Sequence, residues 1–222
     1  MIPVKCLEQV RADIAQEFGA FGASISESII NMNSSNKPLL HELHKQTCNL
    51  LSLNRSFQSV LELANNLFGL HDPLHILSSG FLLGIPKDDR LVYDFHQESN
   101  YMKGFQQLIS IHFPIIGKAD LNNGTMSVLE KSHKLGNLFY TESRVSDNSY
   151  TNYIPRNIEE LTGEFEEVHL ELNLGDCIFF HGDLIHKSNF NGSNLCRLAG
   201  IVRLASGTIP ISHLKSQINT NC

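Results

Sequence analysis

The spacing of hydrophobic and polar positions changes period once along the chain. Through residues 3–70 the apolar positions recur at helical intervals. Val4, Leu7, Val10 and Ile14 fall on one helix face, and a second amphipathic pattern runs from Leu39 through Leu67. Asn33–Pro38, the run Asn-Ser-Ser-Asn-Lys-Pro, predicts a loop between the two helical stretches. From Ile76 onward the period shifts towards two. Strands are predicted at Leu77–Ile85, Leu91–His96, Leu108–Ile116, Thr125–Leu129, Glu167–Leu172, Cys177–Phe180, Ile185–Ser188 and Leu195–Ala205. Gly, Asn, Asp and Pro punctuate the gaps. The expectation is a mainly β core with flanking helices, closed as a sandwich or barrel.

Three further boundaries follow from the same pattern. Residues 137–165 are too long and polar for a hairpin turn, and predict an insertion that can fold across the mouth as a lid. Residues 207–222 read as a C-terminal tail. A chain of 222 residues with 41% hydrophobic content can bury a substantial core, so residues 1–222 are expected to form one domain.

The most informative chemistry is His96 with Glu98, followed much later by His186. Residues two apart on a strand point to one side, so this imidazole and carboxylate can face a common point. His186 lies in another predicted strand and supplies a third ligand. Two His and one carboxylate with open positions opposite them suit a non-haem Fe(II) site. By itself a His-x-Glu pair is equally at home on an ordinary surface. Ser188 shares a strand face with His186, and Arg197 follows a turn rich in Asn, Gly and Ser. An antiparallel hairpin is expected to return Arg197 beside His186 and Ser188. A guanidinium with a neighbouring hydroxyl is a good trap for a carboxylate, because the planar fork engages both oxygens.

Other histidines compete less well. His41 and His44 sit i, i+3 on a predicted helix, where incidental surface His is the simpler reading. His71 and His75 flank a Pro turn. His181 lies five residues before His186, an odd spacing that keeps the two off one strand face. His112 points either into a pocket or into the core.

Four blocks, taken in order, resemble the phytanoyl-CoA dioxygenase family of Fe(II)- and 2-oxoglutarate-dependent oxygenases. They are Phe95-His96-Gln97-Glu98 with Tyr101, then Asn123-Gly124 through Ser132-His133-Lys134 to Gly136. Gly175-Asp176 through His186-Lys187-Ser188 is the third, and Asn191, Ser193 and Arg197 are the last. The resemblance implies a double-stranded β-helix, a jelly-roll barrel with the metal in its open mouth and the N-terminal helices packed outside one sheet. It implies iron on His96, Glu98 and His186, and 2-oxoglutarate held by Arg197 and Ser188. Molecular oxygen is then consumed, a C–H bond of a small molecule is hydroxylated, and succinate and carbon dioxide leave. Gln97, Tyr101, His112, Ser132 and His133 are the remaining pocket candidates. The chain departs from the pattern at Glu98, where Asp is usual, at Phe95, where Trp is usual, and at Glu130-Lys131, where Pro-Gly is usual. His112 stands where relatives often place Trp, and the chain has no Trp at all. These changes alter the pocket walls and argue against assuming the family's namesake substrate. A retained acid at 98 argues against halogenation. Alternatives are a cupin-like metal isomerase without 2-oxoglutarate, or a non-catalytic binding protein on the same scaffold.

Composition narrows the partners. The net charge of −6 offers no electrostatic footprint for nucleic acid or an anionic membrane. Cys6, Cys48, Cys177, Cys196 and Cys222 are scattered without C-x-x-C spacing, and are expected to be free thiols. No basic, apolar N-terminal leader and no membrane-length apolar run is present, so a cytoplasmic location is expected.

Overall fold

The computed structural model describes residues 2, 4–47, 60–67, 74–90, 92–105, 107–144 and 151–206. Three helices open the chain: α1 (Val4–Phe18), α2 (Ile25–Ser35) and α3 (Lys37–Thr47). A further helical stretch, α4, covers 60–67. Leu7, Val10 and Ile14 of α1 are buried, as the helical spacing predicts, and Phe18 extends their stripe. The expected loop at 33–38 contracts to a single residue. Asn36 closes α2 by donating its backbone N–H to Met32 O, and its side-chain oxygen accepts from Leu39 N, 3.2 Å away, at the start of α3. Pro38 falls in the first turn of α3, where its missing N–H costs nothing.

Two sheets form the body. The larger has strand order β1-β9-β2-β7, comprising Leu74–Gly84, Arg197–Ser206, Gln107–Ile116 and Ile178–His181. The smaller has order β6-β3-β8, comprising Glu167–His169, Met126–Leu129 and His186–Ser188. All pairings are antiparallel. This is the jelly-roll arrangement that the resemblance implies. A separate hairpin pairs β4 (Tyr140–Arg144) with β5 (Thr151–Pro155). Two short helices complete the fold: α5 (Glu98–Tyr101) and α6 (Ile158–Glu164).

The central strands are buried on both faces. Ile109, Ile111, Phe113 and Ile115 of β2, with Leu198, Val202 and Leu204 of β9, share one core with α1, α2 and α3. The opposite face of β9 carries Arg197, Ile201 and Arg203 towards the space between the sheets. Phe113 and Gly200 are cross-strand partners, and a Cβ at residue 200 would stand 2.3 Å from the Phe113 ring. Glycine is required there to admit the aromatic ring.

One strand expectation is corrected. Of the predicted strand Leu91–His96, residues 92–96 form no strand, although Ser188 N–H donates to Tyr93 O and His96 bridges His186. Asp94 interrupts the ladder, because its carboxylate accepts the Phe95 N–H at 2.7 Å and its carbonyl accepts from the His96 ring. The described residues of the predicted 137–165 insertion contain the β4–β5 hairpin and α6. Leu161 of α6 packs with Phe95, Leu129 and Ile185, so this part of the segment belongs to a core.

Candidate metal centre and co-substrate pocket

His96 and His186 face each other across an antiparallel bridge. Each N–H donates to the other's carbonyl, at 2.9 and 3.0 Å. Their rings lie 4.2 Å apart, centre to centre. His96 Nδ1 lies 2.6 Å from Asp94 O, and His186 Nδ1 lies 2.9 Å from Leu184 O. A carbonyl only accepts, so both Nδ1 atoms carry hydrogen and both Nε2 atoms present a lone pair. Burial, then the neighbouring His186, lowers the His96 pKa to about 3, so the ring is neutral.

Glu98 joins them at the first position of α5. Gln97 is extended, with φ −117° and ψ 136°, so side-chain alternation persists from His96 to Glu98 before the helical turn begins. The carboxylate is buried and lies 3.6 Å from His186 Nε2. Burial alone raises its pKa. The charge of the Arg203 guanidinium and its hydrogen bonds reverse this and hold the group well below the usual carboxylate range. His96, Glu98 and His186 each offer a ligand atom within 4.8 Å of the others, and could hold a metal ion. Two imidazoles and one carboxylate, all buried, fit a divalent transition metal.

The triad opens into a cavity of about 210 Å³ between the sheets. Arg197 lines it, with Nε and Nη1 buried and without hydrogen-bond partners among the described residues. Burial lowers its pKa to about 10, yet it remains charged at neutral pH. A buried cation with idle donors is costly unless an anion arrives. Gly84 pairs with Arg197 in register, and a Cβ there would crowd the guanidinium at 3.1 Å. Ser188 and His112 line the same cavity, and His112 Nδ1 is also buried without a partner. Burial, then Arg197, lowers the His112 pKa to about 3.

A sequence model of the phytanoyl-CoA dioxygenase (PhyH) family matches residues 10–199. The chain belongs to that family. PhyH proteins are non-haem Fe(II)- and 2-oxoglutarate-dependent oxygenases, and the converging imidazole, carboxylate and guanidinium groups match that chemistry. No curated protein matches the chain by sequence. Among solved structures it resembles the non-heme monooxygenase ThoJ, with a TM-score of 0.60 and 16% identity. That match covers 92% of this chain and 71% of ThoJ. EvdO2 from Micromonospora carbonacea var. aurantiaca, solved with 2-oxoglutarate, has a TM-score of 0.58 and 14% identity over 78% of this chain and 67% of its own. The carbocyclase SnoK from nogalamycin biosynthesis has a TM-score of 0.55 and 16% identity, over 96% and 81% of the two chains.

The PhyH fold explains how the remaining sequence-predicted residues are placed. Arg197 does not return beside His186 in a hairpin. It begins β9 in the larger sheet, whereas His186 and Ser188 lie on β8 in the smaller one. The Asn191 amide secures the crossover by donating to Gly84 O and Leu195 O at 2.7 and 2.9 Å. The cavity therefore lies between two sheets.

Tyr101 lines the cavity, but Gln97, Ser132 and His133 do not. Gln97 is fully buried and ties Gly136 O, Asp183 O and Leu138 N together. Ser132 accepts the Ile185 N–H at 2.9 Å, fixing the turn before the ligand strand. His133 is exposed beside His181. His181 is itself exposed, and its Nδ1 accepts from Asp183 N at 3.1 Å. His44 is tied to Phe81 O at 2.9 Å, and His71 lies outside the described residues.

Several site residues escape the sequence reading, among them the apolar lining and two polar side chains. Arg203 lines the cavity and grips Glu98, and Tyr93 forms part of the wall. Counting by twos along β9 from Arg197 reaches Arg203, which is the signal for it. Among the described residues Cys6, Cys177 and Cys196 are free, as expected; Cys48 and Cys222 lie outside them. No helix of the described residues is long and apolar enough to cross a membrane.

Proposed function

We propose that this PhyH protein hydroxylates an unactivated C–H bond of a small metabolite, releasing succinate and carbon dioxide. The observation that carries the reading is one cavity holding both a three-ligand metal cluster and an uncompensated buried guanidinium. A metal-only isomerase has no use for the second feature, so Arg197 favours a dicarboxylate co-substrate.

His96 and His186 offer their Nε2 lone pairs, fixed in tautomer by Asp94 O and Leu184 O. Glu98 adds one anionic oxygen, leaving room for exchangeable ligands. Arg197 with Ser188 receives the distal carboxylate of 2-oxoglutarate. When bound, iron and 2-oxoglutarate supply an oxidant from O2 through oxidative decarboxylation. Leu82, Met126, Phe180 and Ile201 keep the cavity wall apolar and limit water access. Tyr93, Tyr101 and Met102 complete the lining and are placed to orient the substrate. A cavity of about 210 Å³ suits a small substrate, and an apolar wall suits a carbon skeleton rather than a phosphate-rich carrier.

The deciding experiment is a screen of small metabolites with Fe(II), 2-oxoglutarate and O2, scoring succinate release with product mass. A product 16 Da heavier than its substrate, formed with stoichiometric succinate, is expected. Isomerised product without succinate contradicts the proposal, and a product lacking two hydrogens replaces hydroxylation by ring closure or desaturation.

A further inference from the structure

We propose that Arg203 is a positioning residue for the metal-binding carboxylate, holding Glu98 Oε2 so that Oε1 is the oxygen offered to the metal. This rests on the proposed metal triad and adds to it a residue outside the three ligands. Arg203 Nε donates to Oε2 at 2.5 Å, and Nη2 donates to Oε1 at 3.0 Å. The Glu98 side chain is 5% exposed and that of Arg203 is 24% exposed, so the pair is largely shielded from water. Oε1 is also the oxygen that lies 3.6 Å from His186 Nε2. Oε1 therefore faces His186 as well as Nη2, while Oε2 is turned to the guanidinium alone.

The two backbones differ in stiffness. Glu98 begins a four-residue helical turn and has three side-chain torsions to fix. Arg203 stands on β9, which is paired on both sides by β1 and β2. The planar fork thus transmits the rigidity of the larger sheet to a ligand that lies outside both sheets. Freed from that fork, the carboxylate can rotate away or place both oxygens on one ion. The first loses a ligand, and the second takes a position that an exchangeable ligand needs.

Charge alone predicts the opposite sign. A guanidinium beside the site repels an arriving cation, so its removal would tighten metal binding if repulsion dominated. Losing an outer partner of a metal ligand instead weakens affinity by roughly 10–100-fold. The direction of the change separates the two.

The test is titration of the full-length, metal-free protein with Co(II), read by visible absorption and calorimetry. Wild type, Arg203→Met, Arg203→Lys and His186→Ala are compared, with circular dichroism as the folding check. Arg203→Met is expected to bind Co(II) about 10–100-fold more weakly and to alter its ligand-field spectrum. Arg203→Lys should recover part of the affinity, because an ammonium reaches a carboxylate oxygen without the two-point fork. Should the Met variant fail to fold, the Lys variant decides, and it must still bind more weakly than wild type. Unchanged or tighter binding in a folded Arg203 variant, with the spectrum unaltered and His186→Ala impaired, overturns the positioning role alone. Equal Co(II) binding by His186→Ala and wild type overturns the metal triad itself.

Discussion

His96 and His186 are bound to each other through their backbones as well as opposed through their rings. Their reciprocal N–H to carbonyl bonds, 2.9 and 3.0 Å long, make no use of either imidazole. The protein thereby fixes the separation of two ligand residues distant in sequence by the most rigid device available, a bonded antiparallel pair. Replacing a ring by a methyl group leaves that device intact. His186→Ala should therefore stay folded while losing stoichiometric Fe(II) binding and turnover. His181→Ala should retain both, because that ring is exposed and bonded to its own loop. Anaerobic metal titration checks both, and an active His186→Ala enzyme would refute the assignment.

Arg197 is expected to trade stability for function. Its Nε and Nη1 are buried without partners among the described residues, and such groups cost about 1–3 kcal/mol each. Arg197→Met should raise the Tm of the ligand-free protein, at roughly 2–4 °C per kcal/mol. In the wild type with metal, saturating 2-oxoglutarate should add stability, about 2.7 kcal/mol at 100 times its Kd. The variant should show no such gain. Its apparent KM for 2-oxoglutarate should rise by about 2–5 kcal/mol in binding, or roughly 30- to several-thousand-fold. Scanning fluorimetry with and without 2-oxoglutarate tests this, and an equal shift in both proteins would remove Arg197 from the co-substrate site.

Acid should destabilise the metal-free protein before its carboxylates titrate. His96 and His112 are lowered from 6.5 to about 3, chiefly by burial, so the folded state binds fewer protons than the unfolded one. For such depressed groups stability is full above pH 6.5 and falls as pH drops towards 3. Each contributes a slope of about 1.4 kcal/mol per pH unit within that window. Glu98, also depressed, adds its own loss only below its ordinary value of 4.5. Urea unfolding between pH 7 and 5 should show the decline, and His112→Phe should flatten it. His112→Phe should also raise the KM for 2-oxoglutarate, because His112 lines the cavity with Arg197 and its Nδ1, buried without a partner among the described residues, can hydrogen-bond a bound carboxylate. A variant with the wild-type slope would place His112 outside the titrating set.

Much of this site is legible in the sequence because it depends on periodicity and spacing. The helical stripe of Leu7, Val10 and Ile14 and the strand periodicity of β2 and β9 are local patterns, and both are recovered. His96, Glu98 and His186 converge as their spacing suggests, although Asp94 breaks the expected strand. The missing parts are those that tertiary structure alone decides. Arg197 reaches the cavity from the opposite sheet, because strand pairing across the barrel is non-local. Gln97 and Ser132 have the polarity of pocket residues, yet they satisfy backbone groups of neighbouring turns. The Arg203–Glu98 pair links residues 105 positions apart, a separation that no local window spans.

The β4–β5 hairpin is expected to govern substrate oxidation without governing metal or co-substrate binding. Tyr101, which lines the cavity, is hydrogen-bonded to this hairpin. The Tyr101 hydroxyl donates to Thr151 O at 3.0 Å and accepts from Tyr153 N at 3.2 Å, while its ring meets His96 edge-on at 5.5 Å. Tyr153 stacks between Tyr101 and Tyr140, and Lys103 donates to the Tyr140 hydroxyl at 2.7 Å. This aromatic series connects the ligand neighbourhood to the hairpin, but no described residue of the hairpin lines the cavity. Tyr101→Phe removes the two hydrogen bonds and keeps the ring, so Fe(II) and 2-oxoglutarate affinities should stay within about twofold. Product formed per succinate released should fall, because a loosened hairpin positions the target C–H less well. Shortening the hairpin between Glu142 and Tyr153 should have the same effect more strongly, provided that α6 is kept for its Leu161 packing. Parallel measurement of product and succinate decides the matter. Wild-type coupling would make the hairpin a surface feature, and loss of 2-oxoglutarate binding in a folded variant would make it part of the core site.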